Sequence, residues 1–213
     1  MKDIAIYGAG GLGREIACII RMINEQKPIW NLIGFFDDGE QKGKEVFHYG
    51  NVLGGINELN AYSKPLSVVI AIGNSTTAAN LVGNINNSLI DFPNLIYNLH
   101  HMDEKTFSIG KGNIICSNCT FSCNVSIGDF NVFNGSVVLG HDVAIGSFNT
   151  FMPATRISGE VTIGKMNFFG VNSVVLQQIK IGSKVKLGAG SVLMRKAKDD
   201  NLYIGNPAKI FKY

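Results

Sequence analysis

The sequence has little net charge, no long apolar run and few cysteines, and each shortage excludes a class of function. Its formal charge at pH 7 is only +3, drawn from 19 basic and 16 acidic side chains scattered along the chain. That is too weak for the basic stripe with which a protein grips a nucleic-acid backbone, so no nucleic-acid partner is expected. No stretch approaches the ~18 consecutive apolar residues of a membrane span. Met1 leads at once into an apolar strand with no signal-peptide pattern, and the expectation is a cytoplasmic protein without a membrane partner. Of the four cysteines, Cys116, Cys119 and Cys123 lie close together and invite a metal reading. Composition excludes disorder as well: 213 residues with 46% hydrophobic and 16% charged content suit one large or two small globular domains.

What is present in abundance is a six-residue repeat. Cut from Ser108, the chain reads SIGKGN, IICSNC, TFSCNV, SIGDFN, VFNGSV, VLGHDV, and so on through fifteen hexads to Ala197 without a break in phase. The second position is always apolar, as in Ile109, Phe121, Phe133, Ile145, Phe169 and Leu193. The sixth is small or modest, as in Asn113, Cys119, Val125, Asn131 and Thr155, and the third is often Gly. Neither the helical period of 3.6 nor the strand period of two produces this spacing. A large inward residue and a small corner residue describe a short strand and a tight turn, repeated until the turns stack as a solenoid. Three hexads per turn give five coils, rising ~4.8 Å each. The same phase weakens the metal reading: Cys119 takes a corner position, while Cys116 and Cys123 take the third and fourth positions of other hexads. No metal is expected.

Before the repeat, Ile4 to Tyr7 form a strand that enters Gly8-Ala9-Gly10-Gly11-Leu12-Gly13 and then a helical stretch from Arg14 to Glu25. Strand, G-x-G-x-x-G and helix in that order make a turn whose bare backbone receives a phosphate. A second strand, Leu32 to Phe36, ends in Asp37-Asp38, where a ribose hydroxyl or base edge would be read. A third, Val68 to Ile72, ends in Gly73-Asn74, and Ser75-Thr76-Thr77 starts the following helix. Residues 41–53 read as a loop in which His48 is merely exposed, and residues 54–59 as a turn into a short helix. A nicotinamide dehydrogenase competes with this reading. Only about 100 residues precede the repeat, however, enough for one mononucleotide-binding half of the doubly wound fold.

Within the repeat, His141 stands out. It is the fourth residue of VLGHDV, outside the inward apolar set, and an eighteen-residue coil stacks Cys123, His141, Gly159 and Gln177 in one column. A bare Gly159 beside a histidine reads as room for a ligand.

Taken together, the GAGGLG turn, Phe35-Phe36-Asp37-Asp38, Ala71-Ile72-Gly73-Asn74, the hexads with Gly140-His141-Asp142 and the closing Gly205-Asn206-Pro207-Ala208-Lys209 resemble the sugar O/N-acyltransferases. That family includes sialic acid O-acetyltransferases and bacterial nucleotide-amino-sugar N-acetyltransferases, and the resemblance spans the chain. It implies a half-Rossmann α/β domain over residues 1–100 and a left-handed parallel β-helix over residues 101–213. It implies acetyl-CoA as co-substrate, a homotrimer, and a nucleotide-linked amino sugar of the UDP-4-amino-sugar type as acceptor for surface glycan assembly. His141 would be the general base and Asp142 its support, where some members carry Glu. Gly10, Gly11, Leu12, Asp37, Asp38 and Gly73 would contact the nucleotide sugar. Thr150, Val171 and Ala189 would line the CoA groove, and the Gly159 N–H would face the oxyanion. O-acetylation of a sialic-acid-type sugar and a non-catalytic nucleotide-sugar scaffold are the other readings the sequence leaves open.

Overall fold

A computed structural model describes residues 1–101 and 103–212. The chain divides into two compact units, Met1–Tyr97 and Asn98–Tyr213.

The first unit is an α/β layer structure: β1 (Lys2–Tyr7), α1 (Gly11–Gln26), β2 (Trp30–Phe36), β3 (Val52–Gly54), α2 (Ile56–Asn60), β4 (Leu66–Ile70), α3 (Ser75–Asn84) and β5 (Ile90–Asp91). Its sheet is parallel throughout, in the order β3-β2-β1-β4-β5. Every residue of β4 is buried, the near-continuous apolar run of a strand covered on both faces. Helix α1 buries Gly13, Ile16, Ala17, Ile19 and Ile20, a one-sided stripe of helical spacing. Asn74 caps α3, its side-chain oxygen accepting from the Thr77 N–H at 3.0 Å. The chain moves from β1 to one side for β2 and β3, then to the other for β4 and β5. The order therefore reverses between β1 and β4, which opens a crevice at their carboxyl ends. Strand β3 begins at the end of the stretch read from sequence as a loop and runs into the residue where the turn was read. It has only three residues, pairs through Phe35 with Val52 and Phe36 with Gly54, and is held by a buried Val52 rather than by any alternating pattern.

The second unit is a left-handed parallel β-helix. Fifteen two-residue strands, Ser108–Ile109 through Val192–Leu193, fall one to each hexad. The first twelve each pair with the strand eighteen residues on, as Phe121 with Leu139, Leu139 with Ile157, and Ile157 with Val175. The fifth position of twelve consecutive hexads, Asn118 through Lys184, holds a non-glycine residue at φ between 55° and 64°. Such a backbone costs roughly 1–3 kcal/mol where nothing supports it. From Phe130 to Lys184 the N–H of each such residue is secured by a carbonyl of the coil before: Asp142 N–H donates to Cys123 O at 3.1 Å, and Glu160 N–H to His141 O at 2.8 Å.

The interior is ordered by column. Phe133, Phe151 and Phe169 stack face to face with centroids 4.7 and 4.6 Å apart. One corner is a buried amide ladder of Asn113, Asn131, Asn149 and Asn167, in which each Oδ1 accepts from both the backbone N–H and the Nδ2 of the next Asn, at 2.9–3.0 Å. Cys119 occupies another corner, where its thiol donates to Asn134 O at 3.2 Å and burial pushes its pKa up to about 11. Among the described residues no three His, Cys, Asp or Glu side chains are grouped to hold a metal, and no helix is long and apolar enough to cross a membrane.

An Asn149→Val substitution tests the ladder. Valine fits a corner that ends in Val185, but it strands the Asn167 backbone N–H and Nδ2 in a dry interior. The expected loss is roughly 2–5 kcal/mol, read as a lower urea midpoint at unchanged m-value. An unchanged midpoint would show that the ladder contributes nothing net.

Candidate functional site

The glycines of the turn after β1 separate into two kinds. A side chain at Gly8 (φ 114°) would lie 2.6 Å from Ala71 O, and one at Gly13 would collide with Gly8 O. These two let β1, β4 and α1 pack. Gly10, Gly11 and Gly73 have nothing within 4 Å of where a Cβ would stand, and all three are exposed at the crevice where the sheet order reverses. Gly10 caps α1 without a side-chain hydrogen bond, and the first turn holds no acidic residue. The first N–H groups of a sixteen-residue helix therefore face open space, with Leu12 beside them half-buried.

Asp37 and Asp38, assigned by the sequence to the nucleotide, already hold the loops of this site. Asp37 Oδ2 accepts from the Ala9 N–H at 2.8 Å and Oδ1 from the Gly39 N–H at 2.8 Å. Asp38 Oδ2 accepts from the Tyr7 hydroxyl at 2.6 Å and Oδ1 from the Ile56 N–H at 2.9 Å. Burial first, then the Asp38 hydrogen bond, raises the Tyr7 pKa, so that Tyr7 stays the donor. The Gly55 N–H on the Glu58 carboxylate holds the pKa of Glu58 below its usual value. Hollows adjoin the turn, two of them larger than the third, of about 110 Å³, between Ala9, Arg14 and Val46. One of the larger two, of about 280 Å³, runs from Asp37 and Asp38 to Gly54 and Glu58. The other, of about 390 Å³, is lined by Gly11, Arg14, Cys18, Phe47, His48 and Tyr49. In the second, the Arg14 guanidinium lies 5.2 Å over the Phe47 ring. Arg14 and Phe47 escaped the sequence reading; a cation one residue past the glycine turn was the available signal, but no pattern announces Phe47.

In the β-helix, His141 and Asp142 occupy the corner after strand Val138–Leu139. The His141 Nδ1–H donates to Asp142 Oδ2 at 2.7 Å, because an ionised carboxylate can only accept. That bond, and a second from Asn124, hold the Asp142 pKa below the ordinary carboxylate range. The dyad therefore persists as pH falls below the usual carboxylate titration and is lost through the lowered value. The imidazole lies across Gly159, whose added Cβ would sit 2.5 Å from Nε2. This corrects the expectation that Gly159 leaves room for a ligand: the residue is buried, and the space beside it is filled by the His141 ring. Val171 and Ala189 share another corner column and are exposed, whereas Thr150, on the strand Thr150–Phe151, is only 6% exposed. Asn124, Glu160 and Gln178 were missed. All three share the fifth hexad position with Asp142 at eighteen-residue spacing, and that phase was the signal available in the sequence.

Comparison with known proteins supports the resemblance read from the motifs. Residues 3–85 match the PglD N-terminal domain family. The whole chain superposes on WeeI from Acinetobacter baumannii with a TM-score of 0.88 at 26% identity, covering 99% of this chain and 100% of that one. The acetyltransferase domain of PglB from Neisseria gonorrhoeae, solved with acetyl coenzyme A, superposes at 0.86 and 25% identity over 99% of both chains. A perosamine N-acetyltransferase from Caulobacter crescentus, solved with CoA and GDP-perosamine, superposes at 0.88 over 100% of this chain and 98% of that one; at 22% identity it shows the shared fold. Compared with proteins of curated function, the sequence matches none.

The two kinds of glycine predict opposite responses to one methyl group. Gly10→Ala, at φ −75° and facing open space, leaves stability within about 0.5 kcal/mol, whereas Gly13→Ala, driven into Gly8 O, costs roughly 3 kcal/mol or more. Thermal unfolding of the two variants side by side decides it, and equal midpoints would sink the distinction.

Proposed function

We propose that the protein is an acetyl-CoA-dependent N-acetyltransferase whose acceptor is a nucleotide-linked amino sugar of the UDP-4-amino-sugar type, made in the cytoplasm for surface glycan assembly. The observation that carries the reading is the intact His141–Asp142 dyad, 2.7 Å apart and seated on Gly159, in a chain that superposes end to end on acetyltransferases. Against an inert scaffold stands the same geometry: a solvent-facing imidazole held in one tautomer has no packing duty.

The chemistry follows from that tautomer. With the proton on Nδ1, the Nε2 lone pair is free to accept a proton. The sugar amine attacks the thioester carbonyl carbon, a C–N bond forms, and the amine's proton passes to Nε2. The C–S bond then breaks, and the proton leaves with the sulfur as the CoA thiol. General-base help of this kind is worth ~10²–10⁴ in rate. Gly159 acts as the seat of the ring, since the imidazole covers it. In the first unit, the N–H groups at Gly10, Gly11 and Leu12 receive the diphosphate, with Arg14 beside them and Gly73 leaving the crevice open. The Asp37 and Asp38 carboxylates keep that turn in place and read the nucleotide with the lone pairs they have left. Val171, Ala189 and Thr150 belong to the CoA groove, which in a homotrimer would be completed by a neighbouring chain.

A His141→Ala protein is expected to keep its fold and its thermal shift with acetyl-CoA while losing about 10²–10⁴ in kcat for thiol release with the correct acceptor. Full activity in that variant would end the general-base assignment. The acceptor is named by a panel of UDP-, GDP- and CMP-linked amino sugars: a ligand at 100 times its Kd stabilises by about 2.7 kcal/mol. Stabilisation by acetyl-CoA together with a hydroxyl-only sugar, and by no amino sugar, would move the reading to O-acetylation.

A further inference from the structure

The corner column that carries Asp142 is a ladder of four polar residues, one from each of four successive coils: Asn124, Asp142, Glu160 and Gln178. Each is held at φ between 56° and 62°, so their side chains leave the backbone in the same direction. Asn124 Nδ2 donates to Asp142 Oδ1 at 2.9 Å, and Gln178 Nε2 donates to Glu160 Oε2 at 3.2 Å. Two carboxylates on adjacent coils are thus flanked by an amide on each outer side. Asn124 is itself anchored, its backbone N–H donating to Thr106 Oγ1 at 2.9 Å, and that hydroxyl donating to Asp103 Oδ2 at 3.1 Å.

We infer that Asn124 is a positioning residue for the catalytic dyad. Its amide occupies one oxygen of Asp142, so the other oxygen is turned onto His141 Nδ1 and the imidazole keeps its proton there. The argument is one of valence and geometry. A carboxylate hinged at an exposed corner rotates freely unless one oxygen is tied, and either of its oxygens would serve His141 equally poorly if both faced water. An amide donor from the preceding coil removes that freedom, and it pulls Asp142 to the side away from Glu160, the nearest like charge in the ladder. The lowered pKa of Asp142, caused first by His141 and then by Asn124, agrees with two donors converging on one carboxylate.

This inference rests on His141 being the general base, and its test separates the two. Asn124→Gly removes the amide and accepts the left-handed backbone at no cost. Asn124→Asp keeps the shape, tolerates the same backbone and replaces the donor with a second carboxylate against Asp142. The ring nitrogens of ¹⁵N-histidine-labelled protein report the tautomer without any turnover, and His141 is assigned by the resonances missing from His141→Ala. The expected result is a single Nδ1–H tautomer in the unsubstituted protein and a mixture in both variants. With it, kcat should fall about tenfold, the scale of losing an orienting partner, while KM for both substrates changes by less than about twofold. The fall should be larger for Asn124→Asp than for Asn124→Gly. A single tautomer retained in both variants, whatever happens to kcat, overturns the inference, and so does a mixed tautomer with undiminished kcat. Transfer that survives His141→Ala defeats the general-base reading instead, independently of what the nitrogens show.

Discussion

Everything in the second unit depends on a corner that most residues avoid. Twelve consecutive hexads place a non-glycine residue in the left-handed region, and from Phe130 onward the cost is offset because each coil lends the next a carbonyl to bind that residue's N–H. No single coil could hold such a corner alone; the conformation and the stack support each other. Once the stack exists, identical positions lie one above another, and side chains that repeat every eighteen residues become neighbours. The buried asparagine ladder and the column of parallel phenylalanine rings follow directly from this translation.

The same translation builds the candidate active site. A histidine at a corner is exposed by its position, and the glycine one coil further supplies the flat seat on which its ring lies. The aspartate following the histidine is a left-handed corner residue, which brings its carboxylate back onto Nδ1. The dyad thus comes from two adjacent residues at the fourth and fifth positions, and its supports come from the coils before and after. In the first unit the logic is different. There the sheet order reverses beside β1, two glycines are consumed by packing, and the exposed ones leave a helix N-terminus open to an anion. Asp37 and Asp38 act first as staples between three loops, which explains why two acidic residues stand together at the end of β2.

Much of this was legible in the chain. The hexad phase specified the strands, the inward residues and the corner residues one by one, since a period of six with one large and one small position fits a narrow prism and little else. His141 was recognisable because it breaks the pattern of the wall, and Asp142 because the Gly140-His141-Asp142 motif resembles that of the sugar O/N-acyltransferases. Less was legible where the signal is short or non-periodic. Strand β3 hid in a presumed loop because three residues ending in Gly54 carry no alternation. Arg14 and Phe47 meet across a loop that nothing in the local sequence folds onto α1. Gly159 was placed in the right column, but the space beside it belongs to the His141 ring, because a missing side chain reads equally as space for a ligand or space for a neighbour.

By itself, the sequence determined which residues face inward, where each coil turns, that a glycine turn between strand and helix precedes the repeat, and which histidine is free of the core. These are matters of period and local backbone preference, which a linear chain records. Only the tertiary structure decided what fills the gaps: that the imidazole covers Gly159, that Asp37 and Asp38 bind the chain's own N–H groups, and that Asn124 reaches Asp142. Such choices are settled by distances between residues far apart in sequence. A hydrogen bond at 2.9 Å and an empty position at 4 Å can arise from the same letters.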